Sequence, residues 1–243
     1  MTHGHAVSFI VPAHDEQRLI ADTLDAIHAA VRAEGLETGH GYEIIVVDDA
    51  STDRTAEIAI EHGARVVHVS HRQIAATRNA GAREAHGDFL FFIDADTLIH
   101  PAYVRAAMTA MREGAAGGGA GVKLLGKARP HERIGQTLMI HAFRWIGITP
   151  GCSLFCTRAA FEAVGGFDET YYAGEDVAMG RALARHGRLV ILKEVVMTSG
   201  RKLRTHSLGE QLRLLARFLW RGRRMLRSRR ELGLWYGDRR DEP

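Results

Sequence analysis

The sequence predicts an α/β protein with a mostly parallel central sheet flanked by helices. Short apolar runs rich in β-branched or aromatic residues recur at 6–11, 43–47, 65–69 and 89–93, each the length of a buried strand. Stretches with helical spacing lie between them, which is the pattern of βαβ units. Right-handed crossovers bring the ends of such strands to one side, and polar or acidic clusters follow three of the runs: Asp15-Glu16, Asp48-Asp49 and Asp94-Ala95-Asp96. Carboxylates have no packing role at the ends of core strands, whereas ligands of open α/β sheets bind at that edge.

Taken in order, AVSFIV at 6–11 reads as a strand stopped by Pro12. A helix to about residue 33 follows, with Leu19, Ile20, Leu24, Ile27 and Val31 on one face and Gly35 past its end. After the strand at 43–47, Ser51 or Thr52 is placed to cap a helix running to His62, which Gly63 stops. The third strand, 65–69, leads to a helix over 74–85 that contains Arg78-Asn79-Ala80-Gly81. FLFFI at 89–93 is the most apolar strand. Asp94 and Asp96 follow it one residue apart and can point the same way. Such a pair can hold a divalent cation, and the cation a phosphate, although the pattern alone is weak.

The second half is less regular. A helix is expected over 101–113, with proline in its first turn. AAGGGAG at 115–121 lacks the order of a phosphate-binding loop and reads as a turn before a strand at 122–125. Residues 123–133 are basic and broken by Pro130. Residues 134–148 read as a core helix, with an acceptor-lining helix carrying His141, Arg144 and Trp145 as the alternative. A strand at 153–157, a short helix from 158 to Gly165-Gly166 and a helix from Glu175-Asp176 to His186 come next. Acidic residues in a first helical turn are favoured by the helix dipole, so stability alone can account for that pair. Strand-like pieces at 189–192 and 195–197 precede a polar turn at 198–202.

The 243 residues are 46% hydrophobic and 25% charged, as expected of a soluble globular protein. No apolar run reaches the length of a membrane span, and the N-terminus has no signal-peptide pattern, so a cytoplasmic protein is expected. Two cysteines, Cys152 and Cys156, make no disulfide framework and read as buried, inert thiols. The net charge of +3 is unevenly spread. Residues 201–243 hold 13 Lys/Arg and 5 Asp/Glu, a net of +8, against −5 for residues 1–200. The division expected is a domain over 1–205 and a basic amphipathic tail over 206–243.

Four blocks, VSFIVPAHDE at 7–16, EIIVVDDASTDRT at 43–55, RNAGAREAHGDFLFFIDAD at 78–96 and GGFDETYYAGED at 165–176, resemble the family 2 glycosyltransferases. The resemblance implies a GT-A fold with a Rossmann-like nucleotide-binding half. It implies that Pro12, Ala13, Asp15 and Glu16 line a nucleotide pocket, that Asp49 contacts the base or ribose, and that Arg78 and Asn79 lie near the base or phosphates. Asp94-Ala95-Asp96 matches the family's metal-binding Asp-x-Asp motif, and Asp176, beside Glu175, matches the catalytic base. Asp15 departs from the commoner asparagine, and an ionised carboxylate can only accept hydrogen bonds.

The implied activity is inverting, Mn²⁺- or Mg²⁺-dependent transfer from a UDP- or GDP-sugar to an acceptor hydroxyl. Arg201 with Lys202 is placed to close over the diphosphate, and His206 is either a third metal ligand or a surface histidine. A retaining transferase or a sugar nucleotidyltransferase remains an alternative. Residues 12–16, however, lack the Gly-rich, Lys/Arg-bearing loop that a nucleotidyltransferase carries there. A non-catalytic nucleotide- or membrane-binding module is the alternative of another class.

From Ser207 the tail reads as a helix, with Ser207 and Glu210 forming a capping box and Leu208, Leu212, Leu215 and Leu219 a stripe. It docks on the domain, or lies on anionic lipid at the inner membrane face, close to a lipid-linked acceptor of cell-envelope polysaccharide or glycolipid synthesis, and the two can coexist. Nucleic acid is not an expected partner.

Overall fold

The computed structural model describes residues 6–36, 41–125, 140, 149, 151–199 and 226–227. Eight strands form one sheet in the order β3-β2-β1-β4-β7-β6-β8-β5. The strands are β1 (Val7–Ala13), β2 (Tyr42–Asp49), β3 (Arg65–Val69), β4 (Phe89–Ile93), β5 (Thr97–Leu98), β6 (Ala115–Leu124), β7 (Ser153–Thr157) and β8 (Arg188–Thr198). The helices are α1 (Ile20–Ala33), α2 (Thr55–Glu61), α3 (Ile74–Glu84), α4 (Pro101–Arg112), α5 (Arg158–Ala163) and α6 (Glu175–His186). Strands β1 to β4 pair in parallel, as does β6 with β8. The exceptions are β7, antiparallel between β4 and β6, and the short β5.

Alternation along β1 and β4 divides the core into two layers. Phe9 and Phe91 stack at 4.9 Å on one face, where Tyr103, Phe155 and the apolar stripe of α1 join them. Ile10 and Phe92 point to the other face, with Phe167 edge-on to Phe92 at 4.9 Å and α3, α5 and α6 covering the layer. Burial on both faces is why these strands read as unbroken apolar runs.

Four sequence expectations are corrected. β1 does not stop at Pro12 but runs to Ala13, because its pairing with β4 ends at Ile10 while Pro12 stays in register with Val47. A missing N–H is tolerated where a strand is paired on one side only. The glycine run is no turn but the body of β6. A methyl group on Gly117 would lie 2.5 Å from Phe155 O, and one on Gly118 would collide with Val190 O and the Phe155 ring. Glycine is therefore required where β6 is pressed between β7 and β8. Neither Ser51 nor Thr52 caps α2, which begins at Thr55. Asp53 Oδ1 instead accepts the Thr55 N–H at 3.0 Å. The pieces at 189–192 and 195–197 are one strand, β8, whose register with β6 shifts between Gly119 and Gly121.

The core helix read at 134–148 lies outside the described residues except for the buried Ile140, and so does the capping box at Ser207 and Glu210. Among the described residues no helix is long and apolar enough to cross a membrane.

Candidate active site

The parallel arrangement brings the ends of β1, β2 and β4 to one edge, and each contributes acids there. The loops beyond β1, β2 and β3 each hold a non-glycine residue at positive φ: Asp15 at 49°, Ala50 at 58° and Arg72 at 50°. No other non-glycine residue among those described does so, and such strain clusters where a site must be shaped.

The first two loops are laced together. Asp15 N–H donates to Ser51 Oγ at 2.9 Å, and Asp15 Oδ1 accepts from Thr52 N–H at 2.7 Å. Glu16 N–H donates to Thr55 Oγ1 at 2.7 Å. The aspartate at position 15 thus serves the loop as an acceptor, the one role its ionised form has. Ala13 is buried and Pro12 partly so. Asp49, buried at the end of β2, accepts from Arg72 N–H at 2.8 Å, Gln73 N–H at 3.2 Å and Thr77 Oγ1 at 2.8 Å. It ties the start of α3 to the sheet edge.

The centre of the site is Arg78, 1% exposed and the largest fully buried side chain among the described residues. Its guanidinium donates to Glu175 Oε1 at 2.8 Å, Asp94 Oδ1 at 2.7 Å and Gly151 O at 2.8 Å, and lies 5.3 Å from the Phe167 ring centroid. Burial works against its charge. Asp94, Glu175 and Asp176 outweigh that and hold its pKa above the ordinary value. Planar guanidinium suits this multidentate role, which lysine would not fill. Asn79 is also buried. Its Nδ2 donates to Phe167 O and Glu169 Oε1, each at 2.9 Å, and its Oδ1 accepts Phe167 N–H at 2.9 Å.

Around the Asp-x-Asp pair, Ala95 O accepts from Thr23 Oγ1 at 2.9 Å, Asp96 Oδ1 from Thr198 Oγ1 at 3.1 Å, and Asp96 O from Ser199 N–H at 3.1 Å. The end of β8 therefore closes the Asp94-Asp96 side. Among the described residues no group of three or more His, Cys, Asp or Glu forms a complete metal cage. Asp94 and Asp96 supply hard oxygen donors of the kind Mg²⁺ and Mn²⁺ take when substrate oxygens and water complete the shell.

Glu175 and Asp176 open α6 as the sequence implies. Burial, then the neighbouring Glu175 carboxylate, push Asp176 up to about 7, with Arg78 pulling the other way. A carboxyl so placed titrates near neutral pH, which suits proton transfer. Its position depends on residues the sequence did not single out. A methyl group on Gly151 would come within 2.7 Å of Asp176 Oδ2, and Thr149 Oγ1 donates to Asp176 O at 3.2 Å. The Thr-Pro-Gly-Cys stretch at 149–152 signals a turn but nothing about what packs on it. Cys152 and Cys156 are free thiols raised well above their usual range, chiefly by burial.

The structure thus joins Arg78, Asp94, Glu175 and Asp176 in one cluster, and Asp15 and Glu16 in the adjoining loop pair. Arg201 and His206 lie outside the described residues. Of the basic tail, Leu226 and Arg227 are described. Leu226 O accepts from Tyr172 N–H at 2.8 Å, and Arg227 lies 4.7 Å from the Tyr171 ring centroid.

The family model for glycosyl transferase family 2 matches residues 8–160. Validoxylamine A glucosyltransferase of Streptomyces hygroscopicus subsp. jinggangensis is 26% identical over 232 residues, covering 76% of this chain and 53% of that protein. An undecaprenyl-phosphate 4-deoxy-4-formamido-L-arabinose transferase of Pseudomonas fluorescens is 35% identical over 100 residues, covering 38% of this chain and 28% of that protein. The chain thus spans about a quarter to a half of the length of these curated relatives. Among solved structures, the mannosyltransferase PcManGT of Pyrobaculum calidifontis, in complex with GDP-Man and Mn²⁺, superposes with a TM-score of 0.65 at 21% identity, covering 87% of this chain and 60% of that one. S. aureus TarS 1–349 in complex with UDP-GlcNAc gives 0.61 at 18%, covering 79% and 58%. The fold is that of the GT-A glycosyltransferases, and the chain belongs to glycosyl transferase family 2.

Proposed function

We propose that this chain transfers a sugar from a UDP- or GDP-sugar to an acceptor hydroxyl with inversion at the anomeric carbon. The observation that carries the reading is the cluster in which Arg78 joins Asp94, at the end of β4, to the Glu175-Asp176 pair at the start of α6. It brings Asp94, a metal ligand of this reading, to the same edge of the sheet as Asp176, whose carboxyl is pushed up to about 7. Structures of the same fold hold UDP-GlcNAc and GDP-Man with Mn²⁺, which supports a nucleoside-diphosphate-sugar donor.

In this reading Pro12, Ala13, Asp15, Glu16 and Asp49 form the nucleotide side, beneath the strained loops. Asp94 and Asp96 would hold Mn²⁺ or Mg²⁺, with Asp96 the closer ligand, because Asp94 Oδ1 is ion-paired to Arg78 whereas Asp96 Oδ1 accepts from the neutral Thr198 hydroxyl. The ion, when bound, neutralises the charge that builds on the departing diphosphate. Asp176 takes the proton of the acceptor hydroxyl as it attacks. Attack from the face opposite the leaving group gives inversion. Arg201 and His206 are proposed to face the diphosphate and the metal.

A hydrolysis screen of UDP-, GDP- and dTDP-sugars with Mn²⁺ tests the reading, because turnover with water as acceptor identifies the donor. Asp96→Asn should abolish Mn²⁺-dependent binding of the matching nucleoside diphosphate, read by calorimetry, and leave the circular dichroism spectrum unchanged. Equal Mn²⁺-dependent affinity in both proteins would sink the metal assignment.

The acceptor is proposed to be lipid-linked. A basic tail and relatives named for undecaprenyl-phosphate substrates support this. Each Lys or Arg near an anionic surface adds about 1 kcal/mol, so the ten arginines of residues 206–243, a net of +5 against five acids, are ample for peripheral binding at the inner membrane face. Full-length protein should co-sediment with phosphatidylglycerol-containing vesicles at low salt and be released at high salt. Truncation after Thr205 should abolish the binding. Protein that stays in the supernatant at low salt would argue for a purely structural tail.

A further inference from the structure

The stretch 167–174 that delivers Glu175 and Asp176 contains no helix or strand. Besides Leu226 O, which takes the Tyr172 N–H, side chains of α3 and its N-cap hold it. Asn79 holds Phe167 and Glu169, Arg78 holds Glu175, and Gln73, the N-cap of α3, holds the middle.

Gln73 is buried, and each polar group of its side chain is used. Oε1 accepts Ala76 N–H at 2.9 Å and caps the helix. Nε2 donates to two carbonyls of the stretch, Glu169 O at 2.6 Å and Tyr171 O at 2.9 Å. A primary amide has two N–H donors and one carbonyl, so its hydrogen-bonding capacity matches the site. The Gln73 backbone N–H is meanwhile held by Asp49 Oδ2, and the preceding Arg72, at φ 50°, by Asp49 Oδ1. One residue thus joins the carboxylate at the end of β2 to the two carbonyls that precede α6.

We infer that Gln73 is a positioning residue, whose two amide hydrogens hold the stretch leading to Asp176 against the helix that Asp49 anchors. The inference rests on the transferase reading above for its catalytic consequence, but not for the structural tie itself. Lost hold on Glu169 and Tyr171 displaces the start of α6 and leaves the nucleotide side in place, because Asp49 binds the backbone rather than the side chain of Gln73.

Gln73→Glu retains the capping oxygen and the side-chain length and removes the two donors. With the sugar nucleotide that wild type hydrolyses, kcat for hydrolysis should fall on the order of 10- to 100-fold, the range that small misplacements of catalytic groups produce. Donor KM and Mn²⁺-dependent affinity for the nucleoside diphosphate should stay within about 3-fold, since only positioning is lost. Backbone amide exchange over 169–174 should accelerate while exchange in β1, β2 and β4 stays as in wild type. Gln73→Met removes the donors without adding charge, and with them the oxygen that caps α3; it should still accelerate exchange over 169–174 and stands in for that readout if the glutamate variant does not fold. Unchanged exchange over 169–174 would overturn the inference, and so would a loss of kcat matched by an equal loss of nucleotide affinity. A wild type that turns over no sugar nucleotide would defeat the transferase reading, and the exchange comparison would still decide whether Gln73 holds the stretch.

Discussion

Replacing Asp176 with asparagine is expected to cost about 10²- to 10⁴-fold in kcat, the usual loss when a general base is removed. Nucleoside diphosphate binding should persist, since the change keeps shape and removes only proton uptake. In wild type, kcat/KM should rise tenfold per pH unit below about 7, the value to which burial and Glu175 push this carboxyl, and level off above it. The same shift affects stability. A carboxyl raised in the folded state binds its proton more tightly there than in the unfolded chain. Its contribution is therefore favourable at low pH and is lost as pH rises through about 7. Asp176→Asn should melt a few degrees above wild type at pH 8, with the gap closing towards pH 5. A variant retaining kcat within a few-fold would make Asp176 merely a helix-start acid.

Arg78→Met should be the most destabilising change in the site. It strands Asp94 and Glu175 without their shared cation, and it frees Gly151 O. Removing one partner of a buried ion pair typically costs about 3–5 kcal/mol, or ~6–20 °C in Tm for a chain of this size. Adding Glu175→Gln to Arg78→Met should recover part of the loss, because it removes one of the two stranded charges. Thermal melts of the two single variants and the double variant measure the coupling directly. A loss below about 1 kcal/mol would mean that the carboxylates are held by other means.

The parallel half of the sheet could be read from local pattern, since β1, β2 and β4 are runs whose burial on two faces leaves a plain apolar signature, and the edge strand β3 keeps three valines in five residues. The convergence of Asp15, Asp49 and Asp94 followed from topology alone. The glycine run could not be read that way. Nothing within 115–121 announces a strand, because the reason for glycine there is Phe155 and Val190, distant in sequence. Pro12 misled for a similar cause: whether a proline stops a strand depends on which side is paired, which is a property of β4. Ser51 and Thr52 are good capping residues by type, but both are engaged by Asp15 from another loop. In the site, only the family resemblance pointed to Glu175-Asp176, whereas the residues packed about it, Gln73, Thr149 and Gly151, reach backbone carbonyls or make close contacts that leave no motif.

The antiparallel strand β7 also sets an order of events during synthesis. β1 to β4 emerge as a run of local parallel units, but the outer edge of β4 waits for β7, roughly 60 residues later. At ribosomal rates of 5–20 residues per second that delay lasts about 3–12 s. Throughout it, Phe89-Leu90-Phe91-Phe92-Ile93 presents an open row of backbone donors and acceptors beside exposed aromatic rings, the kind of edge that pairs with other chains. The strand that leads to Asp94 and Asp96 is thus an aggregation-prone segment of the nascent chain. A fragment ending before Ser153 would keep Asp15, Asp49 and Asp94 with that edge uncovered.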